Sequence, residues 1–185
     1  MILSKFLSIL CVLWIASCAG GQSARSGQEM VSSCKHVGAR EPMVGSAYRG
    51  VVRNEDYDLT VRVPAGLSGW SGVGQSAPFH GFTVFLDSSQ SSCIVFEVHL
   101  RVDENEAPPR PADAKPVSLG RARGWQTSRT GVVGKASILN VITTFSFDRP
   151  DQTDDGMVLL IAPSMEPKRA LTVYGEFLRD LRFGK

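Results

Sequence analysis

Two histidines and a nearby acidic residue are the first candidates for chemistry in this sequence. Glu97, His99 and Arg101 alternate with apolar residues, so a β-strand would place all three on one face. An acid, an imidazole and a guanidinium on one face could bind a polar ligand or supply an acid and a base. The favoured interpretation is a solvent-facing row, because a half-exposed strand requires the same alternation in order to fold.

His80 is the second candidate, within the segment Pro78-Phe79-His80-Gly81-Phe82. The pattern predicts a junction between a loop and a strand, where binding residues often lie. A catalytic base needs a partner, and the sequence identifies none for His80. We therefore assign no catalytic residue, and we keep a hydrolase or small-ligand binder using His80, Glu97 and His99 as an alternative.

Trp70 lies in a glycine-rich segment, Gly66 to Pro78, which predicts a mobile loop. An aromatic side chain on such a loop could contact a partner or a ligand. It could equally fold over a sheet as a lid, and the sequence leaves both possibilities open.

Several familiar sites are missing from the sequence. The glycines of 66–74 are not followed by the Lys-Ser/Thr of a phosphate loop, and the serines of 88–92 lack a Gly-x-Ser-x-Gly elbow. The aspartates of 148–155 lack the spacing of a calcium loop, and the three histidines show no paired ligand spacing. We predict no metal, no cofactor and no enzymatic activity. The net charge of +2 also argues against a nucleic-acid partner.

The N-terminus predicts export from the cytoplasm. Lys5 is its one charge, and the apolar run Phe6–Ala16 is too short to span a bilayer of about 30 Å. Its length is typical of a secretory signal peptide.

The segment Ile15-Ala16-Ser17-Cys18 resembles the lipobox of bacterial lipoproteins. This resemblance implies cleavage before Cys18 and attachment of a diacylglycerol and a further acyl chain such as palmitate to that residue. Ala19, in place of Asp, implies the outer membrane, with the protein facing the periplasm. An ordinary cleaved signal with a chance cysteine is the alternative.

The resemblance implies a signal peptide (1–17) and a lipidated Cys18. The Gly- and Ser-rich composition after Cys18 predicts a flexible tether (18–28), and the length and pattern of the rest predict a single globular α+β domain (29–185). Of the four cysteines, Cys11 would leave with the signal and Cys18 would carry lipid. Cys34 and Cys93 remain, and in an oxidising envelope they predict one disulfide. A redox thiol is the alternative, but the chain has no C-x-x-C.

The elements that must position these residues are predicted from hydrophobic periodicity. Alternation predicts strands over 48–53, 57–63, 82–86, 93–102, 136–147 and 157–162, and a polar edge strand over 121–130. Prolines in 104–116 predict an exposed connection, and 148–156 predicts a turn. A helical period predicts a helix over Ala170–Leu181, capped by Ser164.

The predicted fold class is therefore α+β, a mostly antiparallel sheet of six or seven strands covered by a C-terminal helix. A β-sandwich with an appended helix is the alternative. The order of elements is similar to the layout of the Mog1/PsbP-like fold, with a strand ending at Val63-Pro64 and a closing helix over Leu171–Phe183.

The leading functional hypothesis is a non-enzymatic, membrane-anchored envelope lipoprotein. Its partners would be the lipid bilayer, through Cys18, and another envelope component that it binds or whose assembly it supports. An inhibitor or immunity-type protein is a second hypothesis, in which Gly66–Pro78 or Glu104–Pro116 enters the cleft of a toxic or lytic enzyme. The oligomeric state is left open.

Overall fold

A computed structural model describes Cys34 and residues 47–54, 57–70, 81–100 and 110–183, with the backbone alone at 99 and 100. The predicted signal peptide, Cys18, its tether and His80 lie outside these ranges. Within them the chain forms eleven strands and the helix α1, in the order β1 Ala47–Tyr48, β2 Val51–Asn54, β3 Leu59–Arg62, β4 Gly69–Trp70, β5 Gly81–Phe85, β6 Cys93–Leu100, β7 Lys115–Leu119, β8 Ala122–Val133, β9 Ala136–Asp148, β10 Thr153–Pro163, α1 Lys168–Arg179 and β11 Arg182–Phe183.

The strands form two antiparallel sheets. The larger has eight strands in the order β1-β4-β5-β6-β10-β9-β8-β7, and the smaller has three in the order β11-β3-β2. The predicted α+β class is confirmed. The described residues contain more strands than predicted because β1, β4 and β11 have two residues each, too few to show a period.

The main core lies between one face of the large sheet and a second layer made of α1 and the small sheet. Phe177 of α1 packs against Phe82 and Phe96, with ring centroids 6.2 and 5.9 Å apart. Phe183 of β11 packs against Phe145 and Phe147, at 5.3 and 4.7 Å. The apolar face of the helix and the inward face of the small sheet are thus buried against one surface.

A chain of polar groups crosses this core and fixes α1 on the sheet. Gln126 Nε2 donates to Thr143 Oγ1 at 2.8 Å, and the hydroxyls of Thr143 and Tyr174 are 2.7 Å apart. The Tyr174 hydroxyl is 2.9 Å from the carbonyl of Val158, which can only accept. Burial raises the pKa of Tyr174, so the group remains a neutral donor.

The helix occupies nearly the predicted range, and its buried residues recur at helical spacing, but the predicted Ser164 cap is wrong. The N-cap position is Pro167, with no side-chain hydrogen bond. The Ser164 hydroxyl lies 2.6 Å from that of Ser137, at the start of β9. The sheet therefore engages the side chain that was expected to begin the helix.

One prediction about the second half of the sheet is also wrong. The segment predicted as an edge strand belongs to β8, which lies between β9 and β7. The edge strand on this side is β7, which overlaps the predicted connection only at residues 115 and 116; the described residues 110–114 before it lie in no strand and are mostly exposed, as predicted. Pro116 has no N–H to donate, which an edge strand tolerates, and Lys115 adds a charge that disfavours pairing with another chain.

The predicted turn over 148–156 is shorter than expected. Strand β9 ends at Asp148 and β10 begins at Thr153, so the connection is residues 149–152. Asp154 and Gly156 consequently lie in a strand, and Asp154 is fully buried.

Candidate functional site

The candidate residues that the structure describes lie on the face of the large sheet opposite α1, which we call the outer face. Paired residues in neighbouring strands share a face. One row across the outer face consists of Trp125, Thr144, Met157, Glu97 and Gly81. The next consists of Thr127, Ile142, Leu159, Val95, Thr83 and Trp70.

Trp70 belongs to the sheet, so the loop prediction is wrong at this position. It pairs with Ala47 on one side and Thr83 on the other, and its side chain is half-buried. Gly69 permits this arrangement, because a Cβ there would lie 2.8 Å from the ring of Phe82. Residues 71–80 lie outside the described ranges.

Glu97 and His99 are two residues apart on β6, as predicted. Phe96 and Val98 on either side of Glu97 are buried in the main core, whereas Glu97 is half-buried on the outer face. His99 pairs with Asp155 of β10. Arg101 and His80 lie outside the described residues, although Gly81, which follows His80, pairs with Glu97.

The row that contains His99 brings together polar residues from three other strands. Asp155 pairs with Ser146, and Ser146 pairs with Arg123. Ser146 Oγ donates to Asp155 Oδ1 at 2.6 Å, a cross-strand contact that stabilises a sheet. The alternation of Asp155 with Met157 and the apolar residues after it was the signal for a strand, and the neighbouring aspartates obscured it.

The serine-rich segment is a turn held by one carboxylate. Asp87 accepts from Ser89 Oγ, from the backbone N–H and the hydroxyl of Ser91, and from the N–H of Ser92, at 2.5 to 3.0 Å. Partial burial would raise the pKa of Asp87, but these hydrogen bonds outweigh it and lower the pKa to about 2. The geometry is that of turn chemistry.

The predicted disulfide between Cys34 and Cys93 is present, with Cα atoms 5.9 Å apart. Both residues are buried, in a second apolar cluster with Val95, Ile138 and Ile161 on the outer face. The disulfide therefore joins Cys34 to β6, the fourth of eight strands in the order of the large sheet.

The described part of the chain holds no group of three or more histidine, cysteine or acidic residues placed to bind a metal ion. Its helix is also too short and too polar to cross a bilayer.

Comparison with known proteins gives a likeness of fold. No protein family profile matches the sequence, and no curated protein sequence matches it. The structure resembles LpqN of Mycobacterium tuberculosis, which is involved in cell envelope biogenesis, with a TM-score of 0.54 and 12% identity over 76% of this chain and 93% of that one.

Two further structures extend the comparison. A protein of Bacteroides thetaiotaomicron matches with a TM-score of 0.50 and 8% identity. The match covers 74% of this chain and only 49% of that protein, so this chain spans about half of its length. The Ran-binding protein Mog1p of Saccharomyces cerevisiae matches at 0.43, with 12% identity over 75% of this chain and 96% of that one. At these identities the likeness is one of fold.

Proposed function

We propose that this protein is a lipoprotein of the bacterial envelope, anchored through Cys18 to the outer membrane and facing the periplasm. Its domain acts as a non-enzymatic binding or assembly-support module. The observation that carries the proposal is the Cys34–Cys93 disulfide. Structural disulfides persist in oxidising compartments, which supports export, and the motif that ends at Cys18 supplies an anchor for an exported chain.

The fold supports a role in the envelope. LpqN, a protein of cell envelope biogenesis, shares this architecture over 93% of its length. The shared architecture provides a precedent for the proposed role at the level of fold.

The side chains of the outer face are suited to binding. Ser146 Oγ donates to Asp155 Oδ1 in a cross-strand hydrogen bond that joins β9 to β10. The half-buried Trp70 and Trp125 are side chains typical of contact surfaces.

Substitution of the anchor residue tests the proposal. Cys18→Ser in the full-length precursor should remove incorporation of radiolabelled palmitate and release the protein from sedimented membranes. Cys11→Ser is the matched control, because Cys11 lies within the predicted signal, and it should change neither measurement. Persistent membrane association of the Cys18→Ser protein would contradict the proposed anchor.

A further inference from the structure

The small sheet has one face in the main core and one face towards solvent. Leu59 and Val61 of β3 and Phe183 of β11 are buried in the core. The residues that alternate with them lie on the other side, and the register joins them into two rows. One row consists of Arg182, Thr60 and Arg53, and the other consists of Arg62 and Val51. We call these five residues the arginine face.

The arginine face carries an excess of positive charge. Arg53 and Arg62 each have one aspartate at ion-pair distance, at 3.9 and 3.4 Å. Arg182 donates to two main-chain carbonyls and, within the described part of the chain, contacts no carboxylate. Arg49, just before β2, is exposed and adds a further positive charge. Such a surface favours an acidic partner by charge complementarity.

Strand β2 is an open edge of the small sheet. The N–H of Val63 donates to the carbonyl of Gly50 at 2.8 Å, so these two residues form a hydrogen-bonded pair. Hydrogen-bonded and non-hydrogen-bonded pairs alternate along antiparallel strands, and the pairs that contain Val51 and Arg53 are therefore of the second kind. The N–H and C=O groups of Val51 and Arg53 consequently point away from β3, towards a side where no described strand lies.

This edge lacks the protection that β7 has. Pro116 of β7 has no N–H, whereas β2 contains no proline, and the Val51 side chain is 56% exposed. An exposed strand edge of this kind can pair with an extended segment of another protein.

We infer that β2 accepts an extended, acidic segment of another envelope protein as a fourth strand of the small sheet. The inference rests on the proposed role as a binding module and specifies the chemistry of its partner. It does not depend on the lipid anchor. Main-chain hydrogen bonds to Val51 and Arg53 supply affinity, and the arginine face selects acidic side chains.

The register of the added strand determines which partner residues are acidic. Residues opposite Val51 and Arg53 form hydrogen-bonded pairs with them, and paired residues share a face. Their side chains therefore lie on the arginine face and should be acidic. The residues between them lie on the same side as Val52, which packs against the main core, and should be apolar. The preferred segment thus alternates acidic and apolar residues.

An anionic bilayer fits the same surface less well. Surfaces that bind anionic lipid are clusters of cations, whereas Asp58 and Asp180 lie among these arginines. A lipid headgroup also has no series of alternating donors and acceptors to match the edge of a strand. The open main-chain groups of β2 therefore favour a polypeptide.

A synthetic peptide of alternating glutamate and valine tests the inference. The full-length protein is purified in neutral detergent as the cell makes it, and fluorescence anisotropy measures binding of the labelled peptide. N-methylation of the glutamates should weaken binding by about tenfold or more, because their N–H groups donate to the edge of β2. N-methylation of the valines is the matched control. Their N–H groups point away from β2, so the affinity should change by less than about twofold.

Variants of the protein separate charge from strand pairing. Arg53→Gln should weaken binding by about threefold, because it removes one exposed charge. Arg53→Pro should weaken it by about tenfold or more, since it also removes an N–H that the added strand needs and β3 does not use. Arg121→Gln, at an exposed arginine in the turn between β7 and β8, is the control and should leave the affinity within about twofold. Circular dichroism identifies any variant that does not fold.

Hydrogen exchange measured by NMR gives a direct readout of the edge. Exchange of the N–H groups of Val51 and Arg53 should slow when the peptide binds. Unchanged exchange at these two positions would overturn the inference, as would equal weakening by the two N-methylated peptides.

The other occupants of this surface have their own signatures. No saturable peptide binding up to about 1 mM would overturn the inference. NMR shifts confined to the arginine face when phosphatidylglycerol is added to the micelles, without peptide binding, would assign the face to lipid. A dimer that Arg53→Pro dissociates would assign the edge to a second copy of this chain and would also overturn the inference. Failure of the proposed anchor is detected separately, by membrane association of the Cys18→Ser precursor.

Discussion

Nε of Arg149 lies 2.6 Å from Oδ2 of Asp154, which joins the connection between β9 and β10 to the interior. The carboxylate is fully buried, and Gln152 Nε2 donates to its other oxygen at 2.8 Å. The Arg149 guanidinium also lies 5.6 Å from the centre of the Tyr57 ring, just before β3. The pair therefore connects the large sheet to the segment that leads into the small one.

Arg149→Ala should lower the free energy of unfolding by about 3 kcal/mol, because it leaves a buried carboxylate without its cation. Adding Asp154→Asn should recover part of this loss, since the second change removes the buried charge. Urea denaturation of the two variants and of the parent protein measures both effects.

A surface ion pair supplies the control for this prediction. Arg62 lies 3.4 Å from Asp180, with side chains 59% and 36% exposed, so Arg62→Ala should cost less than about 1 kcal/mol. An Arg149→Ala protein no less stable than Arg62→Ala would show that the buried pair contributes little.

The stability lost in Arg149→Ala should also depend on pH. Burial raises the pKa of Asp154, and Arg149 opposes that effect. A carboxyl whose pKa is higher in the folded state binds its proton more tightly there, so the folded state gains stability as the pH falls through that pKa. The loss caused by Arg149→Ala should therefore shrink in acid, and a loss that stays constant with pH would contradict this assignment.

Regular elements were predictable from the sequence where their periodicity was unbroken. Tyr174 and Phe177 recur at helical spacing, and the apolar alternation of β6 indicated which of its residues enter the core. Asp154 was not predictable, because a segment of aspartates is typical of a solvated turn. Its burial depends on Arg149 and on Tyr57, which lies almost a hundred residues away along the chain.

The candidate site was predictable only in its local parts. The shared strand of Glu97 and His99 follows from alternation, and the disulfide follows from the number of remaining cysteines. The rows of the outer face could not be found this way, because they join residues of five or six strands through register. No local pattern indicates that Trp125 and Met157 share a row with Glu97.

Asp87→Asn should lower the free energy of unfolding by about 1 to 2 kcal/mol at neutral pH, less than the full pKa shift implies because the turn is partly exposed. The folded pKa of Asp87 is about 2, below the unfolded value of 3.8. The stabilisation is thus complete above about pH 4 and is lost as the pH falls towards 2. Urea denaturation of both proteins between pH 7 and pH 2.5 measures it.

Asp113→Asn is the matched control for Asp87. Asp113 is 61% exposed and lies 3.9 Å from Arg129, so its substitution should change the free energy of unfolding by less than about 0.5 kcal/mol. The difference in free energy of unfolding between the parent and Asp87→Asn should become smaller in acid. A difference of the same size at pH 7 and pH 2.5 would be incompatible with the proposed role of the carboxylate.

Gly156→Ala should destabilise the protein by about 1 to 3 kcal/mol, because a Cβ at this position would lie 2.2 Å from Cζ of Phe145. Gly175→Ala is the control. It lies on the exposed side of α1 with no heavy atom within 4 Å of the added carbon, and alanine should stabilise the helix by about 0.5 to 1 kcal/mol. Thermal unfolding should move in opposite directions for the two variants, and a shared direction would refute the packing argument.

Cys34→Ala with Cys93→Ala should lower the free energy of unfolding by about 4 kcal/mol, since the disulfide closes a loop with a sequence separation of 59 and restricts the unfolded chain. Alanine is chosen because the site is apolar, and a serine hydroxyl would add the cost of a buried polar group. Urea denaturation measures the loss.

Reduction with dithiothreitol should lower the free energy of unfolding of the parent by a similar amount and leave that of the double variant unchanged. An effect on both proteins would mean that the reductant acts elsewhere, and an effect on neither would mean that the bond does not stabilise the domain.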